Sequence, residues 1–267
     1  MKRFKDLMEL KDRVSLVVGG GGYIGSVICE TLAELGANVI VHDISKEKSE
    51  PVALKIKKEF DVKSAAIEAD LLSEKETREI VPKVIDTFGR LDILIHCAAF
   101  VGTTNFPGWA VPFEEQSVKG FESALRVNLT SAFILSQDAQ KYLAKNKKGS
   151  IVFISSMYGI VGPDFSLYDG TKMANPIGYG ASKGGLILLT KYLATLFAPS
   201  VRVNCISPGG VFRNQDEKFV KRYKKKTPLG RMAKEEDIKG AIGYLSSDLS
   251  EYVTGQNIVV DGGFTVW

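Results

Sequence analysis

Seven short runs rich in Val and Ile recur from one end of the chain to the other: Val14–Val18, Asn38–His42, Ser64–Ala69, Asp92–His96, Ser150–Ser155, Val201–Ile206 and Asn257–Val260. None alternates apolar with polar residues. Runs of this kind fit strands covered on both faces, as in a parallel sheet. Segments with helical spacing lie between them. One runs from Ile24 to Leu35 and stops at Gly36, a residue type that favours the left-handed turn after a helix. Another, Glu74 to Phe88, places Ile80, Val81, Val84, Ile85 and Phe88 on one side and stops at Gly89. Pro82 inside it is expected to kink the helix or delay its start. Strand–helix alternation repeated throughout predicts an α/β fold: a doubly wound parallel sheet of about seven strands with helices on both faces. Right-handed crossovers then gather the functional loops at the carboxyl edge. Nothing resembles a linker or a repeat, so residues 1–267 are read as a single domain.

Composition narrows the function. Hydrophobic residues make up 45% of the 267 positions and charged residues 25%, which is ordinary for a globular chain. A formal net charge of +4 is too small to argue for nucleic acid. The histidines are His42 and His96 and the cysteines Cys29, Cys97 and Cys205, with no CxxC pair. Neither a metal site nor a disulfide framework is therefore expected. The start, MKRFKDLMELKDR, has no apolar run of signal-peptide length, and the apolar stretch from Gly185 to Pro199 is interrupted by Lys191. A reducing cytoplasm and no membrane partner are expected.

The first apolar run leads into Gly19, Gly20, Gly21, Gly22, Tyr23, Ile24 and Gly25, and a helix follows at once. Glycines there let the backbone turn sharply and approach a pyrophosphate, while the helix start offers free N–H groups and a positive dipole end. The second run ends in His42-Asp43. An acidic side chain at that place can accept both hydroxyls of an adenosine ribose and would repel a 2′-phosphate, which favours NAD over NADP. The blander alternative makes Asp43 a cap of the next helix; Lys46 nearby argues against a firm preference. His42 is read as simply ending its strand.

Tyr179 and Lys183 stand four apart, one turn apart on a common helix face. A free tyrosine, with a pKa near ~10, is a poor acid–base catalyst at neutral pH; bringing it into range needs roughly 4 kcal/mol of differential stabilisation. A neighbouring ammonium and a bound pyridinium are groups that favour the phenolate.

Taken together, the chain resembles the short-chain dehydrogenase/reductase family over essentially its whole length, which implies a Rossmann-type fold. The family's Tyr-x-x-x-Lys falls on Tyr179 and Lys183. Its active-site serine falls on Ser156 of Ile-Val-Phe-Ile-Ser-Ser, with Ser155 as second choice. Its helix asparagine falls on Asn128 of Arg-Val-Asn-Leu-Thr, its Pro-Gly on Pro208-Gly209 and its terminal Asp-Gly-Gly on Asp261-Gly262-Gly263. The resemblance further implies cofactor contacts from Gly19, Gly22, Tyr23, Ile24, Gly25, Asp43, Asp70, Leu71, Ala98, Ala99, Tyr179, Lys183, Pro208, Gly209 and Val211.

The chain departs from the family in three places. Tyr23 stands where the family places a glycine. His96-Cys97-Ala98-Ala99 replaces Asn-Asn-Ala-Gly, with His96 read as a hydrogen-bonded structural residue. Arg213 stands about where a threonine usually meets the nicotinamide amide, so that contact is expected from backbone near Val211.

The chemistry so implied is NAD-dependent interconversion of an alcohol and a ketone. Tyr179 moves the proton, Ser156 holds the substrate oxygen, Lys183 lowers the phenol pKa and binds the nicotinamide ribose, and Asn128 positions a water linking Lys183 to solvent. Ser156 and Tyr179 lie about ten residues farther apart than is usual in the family, and long loops at a catalytic edge are often functional. Tyr158, Phe165, Tyr168 and Trp109 are candidates to face a sugar ring; the alternative is that they only anchor the loop. With the ending Phe264-Thr-Val-Trp267, this insertion looks like reductases of bacterial surface-sugar and flagellin-glycan pathways. Residues 208–231 match the family's mobile substrate lid. Their basic residues Lys218, Lys221, Arg222, Lys224, Lys225, Lys226 and Arg231 would suit a phosphorylated or carboxylated substrate, or simply form a solvated face. Lys141, Lys145, Lys147 and Lys148 read as a helix C-terminus meeting its dipole. The expected function is thus oxidoreduction of a sugar or sugar phosphate. The alternatives are a general ketone or 3-oxoacyl-thioester reductase, or a non-catalytic NAD-binding interaction protein. A homodimer or homotetramer is expected by resemblance.

Overall fold

The computed structural model describes residues 1–146 and 148–267; Lys147, one of the four lysines read as a helix end, lies outside them. Among the described residues, seven strands form one parallel sheet in the order β3-β2-β1-β4-β5-β6-β7. They are β1 Val14–Val18, β2 Asn38–Asp43, β3 Ser64–Glu68, β4 Ile93–His96, β5 Gly149–Ile154, β6 Val201–Pro208 and β7 Asn257–Val260. Each lies within two residues of its apolar run at either end. The helices are α1 Phe4–Met8, α2 Tyr23–Glu34, α3 Lys46–Glu59, α4 Glu74–Phe88, α5 Val118–Leu125, α6 Ser131–Leu143, α7 Ile177–Phe197, α8 Glu217–Lys226 and α9 Lys239–Ser246.

The missing polar alternation has a direct cause, since both faces of the central strands are buried. Leu16, Ile40, Leu94, Ile151 and Val203 pack with Ile80 and Val84 of α4, Leu135 of α6 and Leu193 of α7. Val17, Val41, Ile95, Val152 and Ile206 pack on the other side with Ile28 and Leu32 of α2, Ile56 of α3 and Ile242 of α9. Helix α4 runs unbroken from Glu74 through Pro82, so the expected late start is not found; Ser73 accepts from the Glu76 amide at its beginning and Gly89, at φ 72°, ends it. Gly36, at φ +92°, plays the same part after α2.

The strand order reverses between β1 and β4, and the loops leaving these two strands part to either side of a crevice, the usual ligand position in such sheets. Helices α5 and α6 are joined by a π-turn, Arg126–Thr130. No described helix is long and apolar enough to cross a membrane.

Candidate active site

The crevice is a cleft of about 650 Å³. Its floor is the glycine loop. Gly19 and Gly20 donate to the His42 carbonyl at 2.9 and 2.8 Å. Gly19 sits at φ +81°, and a Cβ there would come within 2.5 Å of the Ala98 backbone. At Gly25 a Cβ would fall 2.0 Å from the Gly19 carbonyl oxygen. Only glycine allows strand, loop and helix to approach so closely. Gly22 is the N-cap of α2 and supplies no side-chain cap, so the first amides of the helix are free for an anion. Gly22, Tyr23 and Ile24 line the cleft with Gly19 and Gly25.

The end of the cleft expected to take an adenosine is bounded by Asp43, Asp70, Leu71, Ala98 and Ala99. Asp43 accepts from the Gly21 amide at 3.1 Å and the Ile44 amide at 2.9 Å, so its carboxylate orients the glycine loop while it faces the cleft. Lys48, not Lys46, is the lysine that reaches this end. His42 Nε2 meets the Ala69 carbonyl at 3.1 Å. Burial pushes His42 down to about 4, so it is neutral and ties β2 to the end of β3. His96 Nε2 meets Ser131 Oγ at 2.7 Å, and burial pushes it down to about 3. Both histidines are structural, as their sequence positions suggest.

At the catalytic end, the two serines after β5 separate by function. Ser155 Oγ donates to the Lys183 carbonyl at 2.8 Å and is spent on bracing α7. Ser156 faces Tyr179, and its hydrogen bond favours the ionised phenol. Tyr179 lies in the first turn of α7, and Lys183, one turn on, is buried with Nζ donating to the Ile154 carbonyl at 2.7 Å. This Nζ is 5.7 Å from the Tyr179 ring centroid. Burial lowers Lys183 to about 8. Burial is also the largest influence on Tyr179 and raises it; Ser156 and the Arg213 charge work the other way. The lowering expected from Lys183 is therefore not the dominant influence in this site.

Asn128 lies in the π-turn, off the cleft surface. Its Oδ1 accepts from the Phe100 amide at 2.6 Å and its Nδ2 donates to Ser182 Oγ at 2.8 Å, while Ser182 Oγ donates to the Tyr179 carbonyl at 2.7 Å. The side chain thus locks the loop after β4 to the turn of α7 that carries Tyr179 and Lys183. Pro208, Gly209 and Val211 line the opposite wall.

The packing decides two of the open alternatives and places the C-terminal residues. Trp109 is not available to a sugar ring: it is 1% exposed, packs edge-on against Phe100 at 4.9 Å and donates from Nε1 to the Val101 carbonyl. The basic residues from Lys218 to Arg231 do not line the cleft, whereas Arg213 does. Arg222 donates to the Leu167 and Asp169 carbonyls at 3.3 and 2.6 Å, Lys226 pairs with Asp164, and Arg231 pairs with Asp237. Phe264 packs inward, stacked on Tyr223 of α8 at 4.8 Å, leaving Val266 and Trp267 exposed. Two contacts had no local signal in the sequence. Tyr158 Oη lies 2.9 Å from Tyr168 Oη, and the Arg213 guanidinium lies 4.6 Å from the Tyr23 ring centroid.

Comparison with known proteins agrees with this geometry. Residues 22–265 match a family model described as enoyl-(acyl carrier protein) reductase. The chain is 32% identical to a 3-oxoacyl-(acyl-carrier-protein) reductase of Aquifex aeolicus, over 96% of this chain and 98% of that protein. It is 28% identical to the post-translational flagellin modification protein A of Campylobacter coli, over 96% and 99%. A short chain dehydrogenase from Leptospira borgpetersenii, solved with bound NAD+, is 38% identical, covers 99% of this chain and 96% of its own, and superposes with a TM-score of 0.82. The chain belongs to the short-chain dehydrogenase/reductase family, oxidoreductases that act on a CH–OH group with NAD(P).

Proposed function

We propose that the protein is an NAD-dependent oxidoreductase that interconverts an alcohol and a ketone on a sugar. The observation that carries the chemistry is the placement of Ser156, Tyr179 and Lys183 at one end of the cleft whose other end holds Asp43. The glycine cradle, in which a Cβ at Gly19 or Gly25 would collide with backbone, fits a dinucleotide backbone laid against the start of α2. When bound, the nicotinamide supplies or accepts the hydride.

In the oxidation direction Tyr179 Oη, as phenolate, takes the proton of the substrate hydroxyl; in reduction it returns a proton to the carbonyl oxygen. Ser156 Oγ holds the same oxygen by a hydrogen bond. Lys183, protonated at neutral pH with a pKa of about 8, keeps positive charge near the phenol in a site shielded from water. Asn128 is a positioning residue in this scheme, because its amide is committed to Phe100 and Ser182. A relay water at this residue would bind its main-chain carbonyl.

The NAD preference rests on the Asp43 carboxylate, which would meet a 2′-phosphate with like charge. Titration of NADH and NADPH against wild type and Asp43→Ser tests it: NADH binds tighter to wild type, and the variant narrows or reverses the ratio. The sugar reading rests on Tyr158, which lines the cleft with its phenol bonded to Tyr168, and on similarity to the flagellin modification protein. With Arg222, Lys226 and Arg231 engaged outside the cleft, the sugar reading favours a neutral polyhydroxylated ring over a sugar phosphate. The reading includes a cytoplasmic location, in keeping with three free cysteines. A second reading, 3-oxoacyl-thioester reduction, is favoured by the 32% identity to the Aquifex aeolicus enzyme. Turnover of a panel of keto-sugars, their phosphates and acyl thioesters, followed by NADH absorbance, separates the two.

We also propose a homodimer or homotetramer. Leu188, Tyr192 and Leu196 leave an apolar stripe exposed on α7, and Val259 is exposed on the edge strand β7. A monomeric mass by light scattering at micromolar concentration would remove this proposal.

A further inference from the structure

The contact between Arg213 and Tyr23 crosses the mouth of the cleft. Tyr23 is the first residue of α2, directly after the uncapped Gly22, and 70% of it is exposed. Arg213 comes from the opposite wall, five residues beyond the end of β6. Both residues line the cleft. The segment that carries Arg213 is shaped to aim it. The Arg213 amide donates to Gln215 Oε1 at 2.7 Å, Gln215 Nε2 donates to the Val211 carbonyl at 2.7 Å, and Asn214 between them adopts a left-handed φ of 56°. Glu235 Oε1 accepts from Arg213 Nε at 3.2 Å and steadies the side chain from outside. This leaves the Nη groups as the donors available to an anion. The guanidinium charge favours the ionised forms of both Tyr179 and Cys97, and its position over the Tyr23 ring sets it beside the start of α2.

We propose that Arg213 and Tyr23 form a clasp over the diphosphate of the bound dinucleotide. Arg213 is the anion-binding partner, and the Tyr23 ring is the platform that holds its guanidinium flat across the cleft. The diphosphate then lies between the free amides of α2 on one side and a fixed cation on the other, so both its charged oxygens meet donors in a partly water-shielded site. The clasp holds the cofactor and takes no part in proton transfer, so its effect falls on dissociation of the dinucleotide. The inference rests on the reading of the cleft as an NAD(P) site.

The test is a ligand ladder measured by binding alone. Adenosine, ADP-ribose and NADH are titrated against wild type, Arg213→Gln, Arg213→Lys and Tyr23→Ala, with NADH release followed by stopped-flow fluorescence. The clasp requires that Arg213→Gln weaken ADP-ribose and NADH by roughly 10- to 100-fold, the range of one charge-assisted hydrogen bond. Adenosine, which has no phosphate, stays within about twofold. NADH release quickens in the same proportion, Arg213→Lys is intermediate, and Tyr23→Ala reproduces part of the loss. Equal weakening of adenosine and ADP-ribose would mean that Arg213 merely braces the loop, and unchanged NADH affinity would remove the clasp outright. Thermal unfolding of each variant separates loss of binding from loss of fold. Failure of wild type itself to bind NADH would overturn the reading of the cleft instead, a different outcome from wild-type binding that Arg213→Gln leaves intact.

Discussion

Tyr158 Oη and Tyr168 Oη stand 2.9 Å apart, and that contact joins the turn after Ser156 to the loop inserted before Tyr179. The Tyr158 amide also donates to Ser156 Oγ at 3.2 Å, so the phenol pair lies one hydrogen bond from the catalytic serine. Burial raises Tyr158 well above the ordinary tyrosine value and raises Tyr168 as well, so both phenols stay neutral across the working pH range. Tyr168→Phe leaves Tyr158 Oη without its partner. The variant is expected to lose about 1–2 kcal/mol of stability and to raise KM for a hydroxylated substrate several-fold while kcat changes little. Urea unfolding and steady-state kinetics check the two parts.

Tyr179→Phe keeps the ring and removes the atom proposed to move the proton. Turnover is expected to fall by about 10²–10⁴-fold or more, while NADH binding stays within about twofold. Ser156→Ala loses turnover too, whereas Ser155→Ala loses stability first, because Ser155 Oγ supports the Lys183 carbonyl. Single-turnover rates alongside fluorescence titration of NADH distinguish these outcomes. A Tyr179→Phe enzyme with wild-type rates would overturn the acid–base assignment.

Lys183 gives a pH signature. Burial lowers its pKa from 10.5 to about 8, so between these values the unfolded chain binds more protons than the folded one. Native stability contributed at this site therefore rises with pH across that window and is flat below it. Relative to Lys183→Met, wild type is expected to gain stability from pH 8 to pH 10.5, read as the difference between paired urea denaturation curves. The same deprotonation removes the ammonium, so activity dependent on its charge declines above about pH 8.

Two glycines of the loop should respond very unequally to one methyl group. At Gly25 an added Cβ meets the Gly19 carbonyl oxygen at 2.0 Å, while at Gly22 the nearest atom is 3.5 Å away. Gly25→Ala is expected to abolish dinucleotide binding and lower the melting temperature. Gly22→Ala, at an N-cap with φ −79°, keeps the fold and costs binding only a few-fold. Calorimetry with and without NADH reports both.

The fold was legible because its signal is local and repeated: strands buried on both faces are rich in Val and Ile without polar alternation, and Gly36 and Gly89 end their helices as residues at positive φ should. That Tyr179 and Lys183 share one helix face follows from their spacing, while the role expected of them came from the family resemblance. What local sequence does not carry is which partner a polar group finds. Ser155 and Ser156 are identical in type and adjacent, and only the carbonyl of Lys183, 28 residues on, distinguishes them. Trp109 reads as an available aromatic until Phe100 and Phe106 close around it. The lid's charges read equally as substrate ligands or as a solvated face until carbonyls and carboxylates take up Arg222, Lys226 and Arg231. Pro82 was expected to disturb α4, yet the helix continues through it.

Arg222 and Lys226 fasten α8 to the loop around Asp164, Leu167 and Asp169. The segment proposed to admit a substrate and the loop whose Tyr168 holds the cleft-lining Tyr158 are therefore mechanically one piece. A mutation that enlarges or trims that loop to suit another molecule will also reset how often the entrance opens, so selectivity and access in this protein cannot be tuned separately.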